Sequence, residues 1–327
     1  MLCWFGGAHL IAGVSHPKIE NYQRIKVVKN IPTAEDYFQS GKELFDFAWD
    51  VVAKLLTTLD EAEYYEIDPE EISESYWKSA TRHVTTALSI TQQGVEIALK
   101  GKIAEISPYI LISDVPQRWP SPYGRDSIDF SEFRTLDAQD LIRVHDTFSQ
   151  TPLPSLFVVK FNELREKRNK FMHSVDKNIV VHVAEVVESL LFMHKTLFPN
   201  ETWPSVRLEF LKNAPDVELG SDEYATNRVC WEISLAISLL KPSQVKEFFN
   251  IDRKQRMYTC PSCLDDANTD AGFEYKLAQL KPKGADSTDL YCPICNNTFP
   301  VTREHCEDEE CPGNVISEDG ACLTCSG

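Results

Sequence analysis

The feature that most constrains this chain is the crowding of its cysteines into one region. Eight of the ten cysteines lie between residues 260 and 325, in four pairs whose members are separated by two or four residues. Close pairing of this kind in a long chain is typical of metal ligation rather than of a disulfide framework. Because free thiolates persist in a reducing compartment, we expect a cytoplasmic protein. The predicted metal ligands are Cys260, Cys263, Cys292, Cys295, Cys306, Cys311, Cys322 and Cys325.

The spacing of the pairs predicts two sites of four cysteines each. Two CxxC motifs separated by 28 residues, TCPSC and YCPIC, are typical of a zinc ribbon, in which two knuckles share one tetrahedral ion. The next two pairs supply a second site. Sequential grouping is the simplest, and a cross-braced grouping is also compatible with the spacing. Four thiolates leave no open coordination position, so we predict two structural Zn²⁺ ions. The same cysteines could instead hold an iron–sulfur cluster or form disulfide bonds, and His305 could replace one ligand.

The charge of the cysteine-rich region argues against a general affinity for nucleic acid. The whole chain has a net charge of −17, and residues 256–327 contain five Lys and Arg against thirteen Asp and Glu. Zinc ribbons often contact nucleic acid, but so acidic a surface repels phosphate. We therefore expect this module to contact protein: its own helical domain, a second subunit or another partner. A DNA-binding regulator is a less favoured hypothesis.

Before the cysteine-rich region, apolar residues recur at helical spacing. Hydrophobic residues make up 43% of the chain and charged residues 25%, which is typical of a globular protein. Asp68 and Pro69 predict the N-terminus of a long helix that ends near residue 106. The proline-containing residues 113–136 predict a loop. We predict a mostly α fold: a helical domain over 1–250, with its core at about 34–200 and a helical extension at 205–250, followed by a zinc-binding module over 256–327.

No apolar stretch approaches the roughly 18 residues that a membrane-spanning helix needs, so we expect a soluble protein with no membrane partner. Residues 1–14 are apolar but lack a basic start, and we expect no signal peptide there. Three histidines on helical stretches are predicted to be structural. They are His145, His182 and His194.

One predicted helix carries polar residues at unexpected positions, in the stretch LREKRNKFMHS over residues 164–174. The apolar stripe of this helix runs through Phe157, Phe161, Leu164 and Phe171, and Arg168 takes the position where a leucine would be expected. A buried guanidinium without a partner is unfavourable. Arg168 therefore either reaches solvent at the edge of the helix bundle or faces a polar cleft.

Two further polar residues accompany this arginine. Asn169 and His173 are four residues apart and share a helix face. Residues 160–173 contain five basic and two acidic residues, a local surplus of three in an acidic chain. An ordinary solvated helix face is one interpretation. The second is a site for RNA cleavage, in which histidine transfers protons, arginine binds phosphate and the 2′-hydroxyl of the substrate attacks.

The segment RNKFMH resembles the R-N-x-x-x-H signature of the HEPN superfamily, whose members are all-α bundles found in many prokaryotic RNase toxins and antiviral systems. The preceding LREKR and the stretch GVEIALKGKIAEI also resemble helices of that family. The resemblance covers roughly residues 34–200. It implies a HEPN-like bundle with the signature near the end of its third helix.

The resemblance implies metal-independent endonucleolytic cleavage of RNA. His173 would take part in proton transfer, Arg168 would contact the scissile phosphate and Asn169 would orient them. It also implies a homodimer with both signatures in one cleft, acting as a toxin or antiviral effector with an antitoxin or defence-system partner. Many toxin members have a tyrosine two residues after the histidine, where this chain has Val175. A competing hypothesis is a non-catalytic HEPN-like dimerisation scaffold whose acidic zinc module docks a protein partner.

Overall fold

The structure, a computed structural model, describes residues 27–173, 181–215, 217, 223–267, 272–284 and 286–325. Residues 1–14 and Val175, on which two expectations rest, lie outside the described residues, and so does the side chain of His173. Within the described ranges, no helix is both long enough and apolar enough to cross a membrane.

The described part of the chain is mostly helical, with a few short strands in two sheets. The helices are α1 Ala34–Asp60, α2 Pro69–Ile106, α3 Ala138–Phe148, α4 Ser155–His173, α5 Val183–Leu197, α6 Trp203–Lys212, α7 Glu223–Leu239, α8 Pro242–Phe249 and α9 Pro261–Asp265. The strands are β1 Val27–Lys29, β2 Ser127–Asp129, β3 Gln279–Leu280, β4 Asp289–Cys292 and β5 Asn297–Pro300. The prediction of a mostly α fold with a cysteine-rich C-terminal region is confirmed at this level.

The N-terminal ends of the two longest helices are determined by local capping. Thr33 precedes α1 in a reciprocal capping box with Asp36. Asp68 precedes α2, and its carboxylate accepts a hydrogen bond of 2.9 Å from the backbone N–H of Glu70. The predicted start of α2 is confirmed. Helix α1 ends at Asp60, and a 3-10 helix over Glu61–Tyr65 follows it.

Helices α1 and α2 form a closely packed antiparallel pair, because glycines lie where aromatic rings cross between them. A Cβ atom on Gly101 would lie 2.5 Å from the ring of Phe38, and one on Gly94 would lie 2.8 Å from the ring of Phe45. Larger side chains at these positions would separate the two helices. Helices α3, α4 and α5 pack against this pair and bury their apolar stripes on it.

The segment predicted as a loop contains a short strand. Strand β2 pairs in parallel with β1, with Val28 opposite Ile128, and short 3-10 turns lie on either side of it. The partner strand lies 100 residues earlier in the sequence, and each strand has only three residues. A strand so short has no detectable alternation of its own, so only the tertiary fold reveals the pairing.

The strands of the C-terminal region form an antiparallel sheet in the order β3-β4-β5. Apolar residues of this region, including Leu280 and Leu290 in the sheet and Ile294 in the turn between β4 and β5, belong to the same buried cluster as the core of the helices. Polar contacts join the two regions as well, since the Thr202 hydroxyl donates to the Pro293 carbonyl at 3.3 Å. The apolar core therefore continues across the predicted boundary near residue 250.

Candidate functional sites

The first cysteine cluster lies between a short helix and a hairpin turn. Cys260 precedes α9 and Cys263 lies in it, while Cys292 ends β4 and Cys295 lies in the turn that leads to β5. The Sγ atoms of Cys260 and Cys295 are 3.7 Å apart, and those of Cys263 and Cys292 are 3.8 Å apart. Asn296 enables the turn, because its φ of 54° lies in the left-handed region that asparagine tolerates.

The second cluster contains the remaining four predicted ligands, so the sequential grouping is confirmed and the cross-braced grouping is wrong. Cys306 and Cys325 have their Sγ atoms 3.7 Å apart, and Cys311 and Cys322 have theirs 3.9 Å apart. His305 belongs to neither cluster. A Cβ atom on Gly313 would lie 2.5 Å from the Cys322 sulfur, so only glycine leaves room for the sulfurs here.

The sulfur geometry fits one tetrahedral ion in each cluster. Four sulfurs at a metal–sulfur distance of about 2.3 Å lie about 3.8 Å from one another in a tetrahedron. The observed separations of 3.7 to 3.9 Å match this value and exceed the roughly 2.05 Å of a disulfide bond. All four Sγ atoms of each cluster lie within 4.8 Å of one another. Each cluster could therefore hold a metal ion.

Backbone amides support the sulfurs of both clusters. The N–H of Asn297 donates to the Cys295 sulfur, and the N–H of Gly313 donates to the Cys311 sulfur. Such hydrogen bonds stabilise thiolates and orient them as ligands. The clusters differ in exposure: Cys260, Cys263 and Cys292 are buried, whereas Cys325 is exposed. The first cluster therefore lies within the protein core and the second lies at the surface.

The apolar stripe of α4 is buried as predicted, and Arg168 lies near its C-terminal end. Phe157, Phe161 and Leu164 are at most 3% exposed, whereas Arg168 is half-buried. Its Nη1 donates to the Oδ1 of Asn169 at 3.1 Å, and its Nε is buried with no partner among the described residues. Arg168 and Asn169, which are neighbours in sequence, are thus hydrogen-bonded to each other. His173 is the last residue of α4.

The basic character of this helix is weaker in the folded protein than in the sequence. Two lysines of α4 form salt bridges with glutamates of α5: Lys160 with Glu188 at 2.8 Å, and Lys167 with Glu185. These two carboxylates reduce the local surplus of three positive charges to one. Asn169 and Lys170 are exposed.

A buried charge network that sequence analysis missed joins α1, α6 and α7. The Arg207 side chain is 1% exposed; its Nε donates to Glu232 at 2.9 Å and its Nη1 to Asp46 at 2.7 Å. Burial alone would lower the pKa of Arg207, but the hydrogen bonds and charge of Glu232 raise it well above its ordinary value. The network connects three helices through buried ion pairs, which fits a structural role. Its residues are far apart in sequence, so no sequence motif or spacing predicts that they meet.

Two of the histidines predicted to be structural are buried. His145 is paired, its Nδ1 lying 2.8 Å from the Asp146 carboxylate, as expected for a structural residue. His194 is also buried, but its Nε2 has no hydrogen-bond partner among the described residues. Burial lowers the pKa of His194, so its ring is neutral near pH 7.

No protein-family model, curated protein or solved structure matches this chain.

Proposed function

We propose that this protein is a metal-independent endoribonuclease of the HEPN type, in which Arg168 binds the scissile phosphate and His173 transfers protons. The observation that carries the proposal is the state of Arg168. Its guanidinium is half-buried at the end of an apolar stripe, and its partner among the described residues is the neutral side chain of Asn169. No carboxylate of the described residues neutralises this guanidinium, so its charge is available to an anion such as phosphate.

The contrast with the neighbouring lysines supports this assignment. Lys160 and Lys167 are neutralised by glutamates of α5, whereas the described partner of Arg168 is the neutral side chain of Asn169. Asn169 and His173 are one helical turn apart on the face that is exposed at Asn169. A second copy of this face in a homodimer would complete a cleft for an RNA strand.

The reaction needs no resident metal at this site. Arginine stabilises the charge that develops on the phosphate, while histidine, which titrates near neutral pH, moves a proton. The 2′-hydroxyl of the RNA attacks the adjacent phosphorus and loses its proton, the P–O5′ bond breaks, and the departing 5′-oxygen is protonated. The products are a 2′,3′-cyclic phosphate and a 5′-hydroxyl. In a cell, such an activity fits a toxin or antiviral effector, held in check by an antitoxin or another defence-system protein.

Cleavage of labelled RNA by the purified protein, without added divalent ions, tests this proposal. We expect Arg168→Ala and His173→Ala to lower the rate by about 100-fold or more, the scale of a lost acid–base group. Lys170→Ala is the matched control, because it removes one exposed positive charge from the same helix and should retain activity. Equal rates for all variants, or no cleavage by the wild-type homodimer, would contradict the proposal.

We also propose that both cysteine clusters hold structural Zn²⁺. Their all-thiolate donor sets and their spacing suit this ion, and four protein ligands close its coordination shell. The purified protein should contain two zinc ions per chain by elemental analysis. Iron in place of zinc, or less than one metal ion per chain, would overturn this assignment.

The second candidate function is a non-catalytic scaffold. One observation favours it: the surface cluster is bordered by exposed acidic side chains, Glu307, Asp308, Glu309 and Glu310. This arrangement suits docking to a protein with a basic surface. Co-purification of a basic protein partner with the inactive Arg168→Ala variant, and loss of that partner when the four acidic residues are replaced by Ala, would support the scaffold.

A further inference from the structure

A small cavity lies where the helices meet the first cysteine cluster. It has a volume of about 160 Å³ and lies between α5, the start of α6, α8 and β4. His194, Glu201, Trp203 and Tyr291 contribute to its wall. None of these residues belongs to the α4 signature or to the cysteine clusters.

Three residues of this wall carry a buried polar atom with no hydrogen-bond partner among the described residues. These atoms are the Nε2 of His194, the Oε2 of Glu201 and the Nε1 of Trp203. The His194 side chain is only 2% exposed, and its Nε2 lies 3.8 Å from Glu201 Oε2, too far for a hydrogen bond. Buried polar atoms without partners are rare and destabilising, so several around one cavity indicate a bound molecule.

The chemistry of the three atoms restricts what that molecule is. The Trp203 indole only donates, and the Glu201 carboxylate only accepts, so a ligand needs both an acceptor and a donor. A carboxylate or phosphate lacks the donor and is repelled by Glu201. An ammonium lacks the acceptor and is repelled by Lys42, which already pairs with Glu201 at 3.2 Å. Hydroxyl groups meet both requirements without adding charge.

A larger cleft also has Glu201 in its wall. It has a volume of about 770 Å³, within the usual range for small-molecule sites, and it lies between α1 and α6. Gln39, Ser205 and Asn213 offer hydrogen-bonding groups in this cleft, and Phe210 offers an aromatic surface. Three glutamates against one lysine give its wall a negative charge, which again disfavours anionic ligands.

We propose that this protein binds a neutral polyhydroxylated small molecule, a sugar or polyol, with one hydroxyl held among His194, Glu201 and Trp203 and the remainder in the cleft beside Glu201. The inference is independent of the proposed RNA cleavage. It assigns a ligand to the junction between the helical region and the first metal centre.

The experiment is a titration of the zinc-loaded full-length protein, with ¹⁵N-labelled tryptophan, by D-ribose, D-glucose and myo-inositol. The indole N–H signal of Trp203 is identified among the six tryptophans by its absence in Trp203→Phe. We expect a saturable shift of this signal with at least one of the three probes. Glu201→Gln, which preserves side-chain shape, should raise the dissociation constant at least tenfold.

The exposed Trp119 is the internal control, because its indole bonds to the Asp114 carbonyl outside the site. Its signal should not move, and phosphate and putrescine should leave the Trp203 signal unchanged. Linear shifts of both indoles, preferential binding of phosphate or putrescine, or no shift with any probe would overturn the proposal. The last outcome would mean that ordered water alone satisfies the three atoms. If Trp203→Phe does not fold, Glu201→Gln identifies the signal instead, as the indole whose saturable shift is weakened.

Discussion

Removing Glu232 should destabilise the fold through the buried arginine it neutralises. Its side chain is 1% exposed, and it accepts hydrogen bonds from Trp49, Arg207 and Arg228. Glu232→Ala leaves the Arg207 guanidinium buried with one fewer carboxylate and leaves the Trp49 indole without its acceptor. Breaking a buried ion pair from one side costs about 3–5 kcal/mol.

Two carboxylates, those of Asp46 and Asp50, still contact Arg207 in this variant, which places the expected loss near the lower end of that range. A loss of about 3 kcal/mol corresponds to a fall of roughly 4 °C in the unfolding midpoint of a chain of this size. The assay is thermal unfolding followed by far-UV circular dichroism at constant zinc concentration, since metal binding shifts the midpoint.

Glu105→Ala is the matched control, because it removes the same charge from an exposed i,i+3 pair with Lys102. An exposed pair contributes about 0–1 kcal/mol, so this variant should unfold close to the wild-type temperature. If Glu232→Ala and Glu105→Ala have the same unfolding midpoint, the buried network does not stabilise the packing of α6 and α7 on α1, and the prediction is refuted.

Three further predictions concern the metal centres and pH. Gly313→Ala should lower the metal affinity of the second cluster at least tenfold in a chelator competition, because the added Cβ would collide with the Cys322 sulfur. Gly284→Ala is the control, because a Cβ there has no neighbouring atom and should leave the affinity unchanged. Complete chelation should remove the near-UV circular dichroism of residues 256–327 while far-UV helicity largely persists; unchanged spectra would exclude a structural metal. His194 is buried facing Glu201 and Lys42, and burial lowers its pKa in the folded state. The unfolded chain therefore binds the proton at a higher pH than the folded protein does, and the free energy of unfolding should fall as pH drops below about 6.5. This fall should be less steep in His194→Gln. Equal pH dependence of stability in the two proteins would refute the prediction.

The sequence alone determined the features of this protein that depend on interactions between neighbouring residues. The start of α2 depends on Asp68 and Pro69, which act on neighbouring backbone groups, and the burial of Phe157, Phe161 and Leu164 follows from helical periodicity. The cysteine pairs are also local, because two ligands on one turn are separated by two to four residues. In each case the interacting groups are close in sequence, so their spacing alone predicts the structure.

The tertiary structure decided what depends on groups that are distant in sequence. It grouped the cysteine pairs into two clusters, paired β1 with β2, and placed Glu185 and Glu188 against the lysines of α4. It buried Arg207 among carboxylates from two other helices and left His194 facing Glu201 across a gap. Periodicity predicts which face of a helix is buried but not which side chains of other elements meet it there. The charge and the hydrogen bonding of a site depend on those partners.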